Sequence, residues 1–131
     1  MYEESRAFFR LEDCVLCRYE YPFIKEIKKG EATVLDISGG GMKMVSKEFL
    51  KSGRTLNLEI CLQSGPVKLA GEVIRSQMEW YVTDKGKETF CTVNVKFDDS
   101  CYNEKKKIIR YVHVCRTERN QAMSKKNRKE Q

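Results

Sequence analysis

The residues best equipped for chemistry lie in Asp36-Ile37-Ser38-Gly39-Gly40-Gly41, where a carboxylate, a hydroxyl and three glycines fall within six positions. Hydrophobic packing gives no reason for three successive glycines, so the backbone here must come close to something. Residues 32–35 before the motif and 42–45 after it are rich in β-branched and long apolar side chains, which places the glycines in a turn between two strands. Glycine tolerates positive φ and leaves room above the main chain, while Asp36 accepts hydrogen bonds and Ser38 both donates and accepts. Two readings stay open on these residues alone: a turn that holds a polar ligand, or an ordinary hairpin in which Asp and Ser make local hydrogen bonds.

Other reactive residue types do not assemble. His113 is the single histidine and falls in a stretch of helical periodicity, far in sequence from Asp36. No nucleophile elbow, phosphate-binding loop or zinc-protease helix occurs, and Asp36 and Ser38 have no base beside them. Binding rather than catalysis is expected. Six cysteines (14, 17, 61, 91, 101 and 115), in a chain that opens on charged residues and shows no secretory pattern, read as reduced thiols of a cytoplasmic protein. Cys14-Val15-Leu16-Cys17 has metal-ligand spacing. It also lies in a strand-like run, where residues three apart point to opposite faces, and no second such pair exists. Small buried hydrophobes, with no metal, are the expectation.

A chain of 131 residues with 40% apolar side chains suits one domain with its own core. It contains no apolar run long enough to span a bilayer as a helix. Of the net charge of +6, residues 116–131 hold six cationic and two acidic side chains, a net of +4, which leaves +2 for the body. A barrel that binds RNA or single-stranded DNA would carry its excess on one folded face, so this alternative, with Trp80, Tyr81 and the lysine-rich end as its surface, is disfavoured. Trp80 and Tyr81 are expected to plug the body.

The elements that must position the glycine turn follow from periodicity. Residues 1–13 read as a flexible arm anchored by Phe8 and Phe9. Residues 14–21 form a strand that Pro22 ends, residues 25–30 a charged turn, and residues 33–37 and 41–46 the strands flanking the glycines. Residues 47–53 connect, with Phe49 and Leu50 plugging the body. Leu56, Leu58, Ile60 and Leu62 alternate strictly along a strand that pairs back on residues 67–75. Residues 78–87 read as loop-like at their end, with Thr83-Asp84-Lys85-Gly86 as a turn signal, and residues 90–97 as the last strand, with Cys91, Val93, Val95 and Phe97 on one face. Asp98-Asp99-Ser100 supplies N-cap candidates, and Ile108, Ile109, Val112 and Cys115 mark a helix over about 102–119. Residues 120–131 read as a basic disordered tail. The sum is an all-β body over 14–119, a small six-stranded antiparallel β-barrel capped by a C-terminal α-helix.

Arg6-Ala7-Phe8-Phe9-Arg10 taken alone reads as a solvated charged flank. Joined to Asp36-x-Ser38-x-x-Gly41, it resembles the PilZ domain family, whose signatures are Arg-x-x-x-Arg and Asp/Asn-x-Ser-x-x-Gly. The resemblance continues in Gly71-Glu72-Val73-Ile74-Arg75 and Val93-Asn94-Val95-Lys96-Phe97, and covers about residues 6–118. It implies a split-barrel fold and a non-enzymatic receptor for cyclic di-GMP, with Arg6, Arg10, Asp36, Ser38, Gly40 and Gly41 as ligand-binding residues. Arginine forks match guanine O6 and N7 as well as phosphate oxygens, and a carboxylate at 36 accepts from guanine N1 and N2 hydrogens. Ser38 would bond polar ligand atoms, and Gly40 and Gly41 would keep the turn low. The arm is expected to fold against the barrel on binding, so that an effector reports ligand level to a protein partner in control of motility, biofilm or exopolysaccharide. Ser5, before the first motif arginine, leaves ligand stoichiometry open. A ligand-free PilZ-like interaction module is the remaining alternative.

Overall fold

The computed structural model describes residues 15–130, with side chains through Thr117. Arg6, Arg10, Cys14 and the whole of the expected arm lie outside the described residues.

Six strands form in chain order: β1 Val15–Phe23, β2 Glu26–Ile37, β3 Gly41–Ser46, β4 Thr55–Leu62, β5 Gly65–Thr83 and β6 Gly86–Phe97. They pair antiparallel around a closed barrel in the order β1-β2-β3-β6-β5-β4, with β1 sealing against β4. The interior takes every second residue, as a pleat of period two requires. Leu56, Leu58, Ile60 and Leu62 from β4, Val67, Leu69 and Val73 from β5, and Cys91, Val93, Val95 and Phe97 from β6 are all buried. Met42 and Met44 from β3 face them, with Cys17, Tyr19 and Tyr21 from β1. A side chain at Gly30 would collide with the Tyr19 ring, which lies across that glycine from the opposite position on β1.

The barrel has two different ends. At one lie the β1–β2 hairpin, the β3–β4 connection and the β5–β6 hairpin. Leu50 plugs this end and is fully buried, beside a polar cluster in which Tyr19 Oη donates to Glu48 Oε1 at 2.7 Å and shares a hydrogen with buried Ser46 Oγ at 3.0 Å. At the other lie the glycine turn, the β4–β5 turn and the start of the helix α1, Tyr102–Glu130. Cys101, Tyr111 and Val112 pack on the core there, and Ile108 is buried completely. The Asp98 carboxylate accepts from Ser100 N and Oγ, both at 2.9 Å, turning the chain from β6 into α1.

Several boundaries differ from the periodicity reading. Pro22 does not end β1 but pairs with Ile27, at a position beyond the last β1 residue bonded to β4, where one edge is free and a missing N–H costs little. Residues 26–30, expected as a turn, belong to β2, and only Ile24 and Lys25 connect the hairpin. β5 runs on to Thr83 and pairs with β6 down to Gly86, so the expected turn over residues 83–86 closes a protruding two-stranded ribbon. Trp80 and Tyr81 are consequently exposed on that ribbon and do not plug the barrel; Phe49 is exposed as well, and the plug falls to Leu50 alone.

The helix continues past 119 to Glu130, through most of the stretch expected as a disordered tail. No glycine or proline interrupts it, and Lys, Arg, Gln, Glu, Ala and Met are strong helix formers. α1 holds ten Lys and Arg against three Glu, a net of +7, so the rest of the chain sums to −1. Ile108→Ala should cost about 2–5 kcal/mol in urea-induced unfolding, because it empties the one α1 position that is fully buried among the described residues. A loss under about 1 kcal/mol would show that α1 does not seal the barrel.

Candidate functional site

The glycine turn joins β2 to β3 at the helix end of the barrel. On β2, Ala32 and Val34 face the interior, so strict alternation would also point Asp36 inward. The register instead shifts between Val34 and Asp36: Val34 pairs with Met44 and Asp36 with Lys43, leaving Leu35 as an extra residue. This β-bulge turns Asp36 to the outer face, where it is exposed. A second bulge does the same on β5. Val73 pairs with Val95 and Arg75 with Asn94, so Ile74 is the extra residue and Arg75 faces out where the pleat would have buried it.

The two bulges flank the β3–β6 pair and align one outward row. Asp36 is opposite Lys43, Lys43 opposite Asn94, and Asn94 opposite Arg75. Three inter-strand steps of about 4.8 Å make the row about 14 Å wide. It presents a carboxylate, an ammonium, an amide and a guanidinium in sequence. The Asp36 carboxylate has no hydrogen-bond or ion-pair partner among the described residues. Arg75 makes one long contact, Nη2 to Gln77 Oε1 at 3.4 Å. From the sequence, Lys43 and Arg75 are no more than cations near expected strand ends and Asn94 carries no signal, since nothing in the linear chain shows that β3 and β6 lie between Asp36 and Arg75.

Within the turn, Ser38 acts first on its own backbone. Its N–H donates to Gly41 O at 2.9 Å, its hydroxyl donates to the same oxygen at 3.3 Å, and it accepts from Gly40 N at 3.3 Å. Gly40 O accepts from Phe97 N at 2.9 Å, tying the turn to the end of β6. Ser38 therefore has its proton committed locally and keeps acceptor capacity for anything above the turn.

Gly39 and Gly41 are required by contact and not by the positive φ that their type suggested, since none of 39, 40 and 41 has it. A Cβ at Gly41 would run into the Val95 carbonyl oxygen of the adjoining strand. At Gly39 it would come within 2.6 Å of Ile109 Cγ1, so α1 lies against the turn. At Gly40 it would meet nothing within 4 Å among the described residues, so among these the turn is open there, four positions on from Asp36. Of the expected site residues, Asp36, Ser38, Gly40 and Gly41 thus come together, and Arg6 and Arg10 lie outside the described residues.

Remaining candidates are less promising. His113 is exposed on α1. Cys17 points into the barrel, and its thiol is pushed up to about 12, first by burial and then by nearby Cys61. It stays protonated where an exposed thiol ionises, as expected of a buried hydrophobe.

By comparison with known proteins, residues 4–113 match the model of the PilZ domain. The PilZ domain of YcgR from Escherichia coli, solved with c-di-GMP, superposes with a TM-score of 0.67 at 15% identity, over 88% of this chain and 92% of that one. The K. pneumonia MrkH–c-di-GMP complex gives 0.66 at 19% identity, over 87% of this chain and 52% of MrkH, so this chain spans about half of MrkH. No curated protein matches by sequence.

Two outcomes check this geometry. Gly41→Ala should lower the thermal midpoint by several degrees while Gly40→Ala leaves it unchanged, because only the first forces β3 from β6; equal effects would contradict the close approach. Cys17 should resist maleimide at pH 8 until denaturant is added. The folded chain holds a proton that the unfolded chain releases above pH 9.0, so stability should fall by up to about 1.4 kcal/mol per pH unit between pH 9.0 and about 12. A flat profile there would contradict the burial of this thiol.

Proposed function

We propose that this chain, which belongs to the PilZ domain family, is a cytoplasmic receptor for cyclic di-GMP that binds on the outer row beside the glycine turn and performs no catalysis. One observation carries the reading. A bulge turns Asp36 away from the core and sets it, unpartnered among the described residues, near a turn that is open at Gly40 among these residues and in line with Lys43, Asn94 and Arg75.

The chemistry of the row suits a guanine-containing cyclic dinucleotide. Asp36 accepts from guanine N1 and N2 hydrogens, a pair that adenine does not offer. Ser38 accepts at the rim of the turn. Arg6 and Arg10 supply the forks for the guanine Hoogsteen edge and the phosphates, and Lys43 and Arg75 add cationic charge on the strand side. Gly40 keeps the surface low, and Gly41 fixes the turn against β6.

A ligand bonded both to Arg6 and Arg10 and to the rigid turn ties the N-terminal segment to the barrel, and the surface offered to a protein partner changes with it. The shift is bounded by the ligand's differential affinity for the two states. Motility, biofilm or exopolysaccharide output is the role that such an effector would serve.

Calorimetric titration tests the proposal. Cyclic di-GMP should bind saturably and cyclic di-AMP should not, and Arg6→Ala, Arg10→Ala or Asp36→Ala should each weaken binding by about tenfold or more, the scale of a lost charge-assisted hydrogen bond. Hydrogen exchange of residues 1–13 should slow on ligand addition. Absence of binding by the wild-type chain, or equal binding by Asp36→Ala, would overturn the site.

A further inference from the structure

The positive charge that an unfolded tail would have spread through solvent sits on one folded element. α1 carries a net of +7 and the remainder of the chain a net of −1, so the helix attracts a polyanion and the barrel does not. The helix is also longer than its packing requires. Val112 is the last α1 residue that packs on the core among the described residues, and the 18 residues that follow, 113–130, continue as helix for about 27 Å at about 1.5 Å each. This extension holds Arg116, Arg119, Lys125, Lys126, Arg128 and Lys129 against Glu118 and Glu130. Nearer the barrel, Lys106, Lys107 and Arg110 are exposed. Lys105 pairs with Asp99 at 3.0 Å, but Lys107, Arg110 and Arg116 have no acid partner among the described residues.

We infer that α1 docks on duplex DNA, with its extension lying in the major groove between two walls of phosphate. An α-helix with its side chains is about 10–12 Å across and the B-form major groove about 12 Å wide, whereas the major groove of duplex RNA is too narrow to admit it. At about 100° per residue, the six cationic positions of the extension are spread over about two thirds of the helix circumference, which suits a groove with charge on both sides better than a flat charged surface. A membrane is the poorer fit. Val114, Cys115, Ala122 and Met123 are the only apolar residues of the extension, and they form no continuous stripe to enter lipid. A single strand fits poorly as well, since it is held by stacking on aromatic rings: residues 113–130 contain none, and the ring of Tyr102 is covered by Lys106 Nζ, 4.6 Å from its centroid. A contact made to phosphates is independent of base sequence. It does not depend on the cyclic di-GMP reading.

Fluorescence anisotropy of the full chain with a labelled DNA duplex tests the inference, beside the matching single strand, duplex RNA of the same sequence and polyglutamate. Duplex DNA should bind tightest of the four at about 50 mM salt, and its affinity should fall about 100-fold by about 150 mM, as for counterion release from about five phosphates. Lys125→Ala combined with Lys126→Ala should weaken binding and make the salt slope shallower by about one to two. Gln121→Pro keeps every charge but breaks the helix beyond its packed part, so it should reduce affinity by about tenfold or more and leave the thermal midpoint unchanged. Equal binding by Gln121→Pro would overturn the inference, because a charged tail would then suffice. Single-stranded DNA or duplex RNA bound as tightly as duplex DNA would overturn the groove, and tighter binding to polyglutamate would overturn it in favour of an acidic protein. No DNA binding at the lower salt would overturn it outright.

Discussion

A closed barrel claims every second residue of each strand for its interior, and this period of two is the constraint on which the candidate site depends. Asp36 and Arg75 both stand two residues beyond a buried valine, at positions that the pleat assigns to the core. An ionised carboxylate or guanidinium there would be prohibitively costly. One extra residue in each strand, Leu35 in β2 and Ile74 in β5, moves both charges to the outer surface without disturbing the pairing beyond. The bulges thus separate the demands of folding from those of binding: the interior stays apolar, and the outer row receives an acid and a guanidinium on either side of Lys43 and Asn94.

The same logic explains what was legible in the sequence. β3, β4 and β6 have one face in the core and one outside, so their alternation shows the strand, its face and nearly its ends, and with the motif residues it carries the family. Where both faces of a ribbon meet solvent, alternation vanishes: residues 26–30 read as part of a charged turn, and the ends of β5 and β6 beyond the barrel carry no clear period, yet all are strand. Trp80 is exposed because aromatic type says nothing about burial once a strand has left the barrel, and Phe49 because its type does not tell which of two adjacent apolar residues of a connection turns inward. The helix looked short because its apolar stripe stops where its packing stops, while its backbone continues on propensity alone. The outer row was illegible for another reason. It is made by non-sequential pairing of β3 with β6, and its aim is set by two bulges that leave no mark in a linear pattern.

The glycine turn also links the parts. Gly41 brings the turn against β6, and Gly39 brings it against Ile109 of α1, so anything bound above Gly40 rests on a floor braced by a strand and by the helix. The opposite end is sealed separately by Leu50 and the Tyr19–Ser46–Glu48 cluster. A domain with two independently closed ends can alter what it presents at one without repacking the other, which suits a small receptor module.

The most direct test of the central claim is an amide chemical-shift titration of the isotopically labelled chain with cyclic di-GMP. The account predicts saturable shifts concentrated at Leu35 to Met42, at Asn94 and Arg75, and at the amides around Arg6 and Arg10, with the hairpin tips at Ile24 and Val82 unmoved. Shifts centred elsewhere on the barrel, or none along Leu35 to Met42 at saturating ligand, would contradict it.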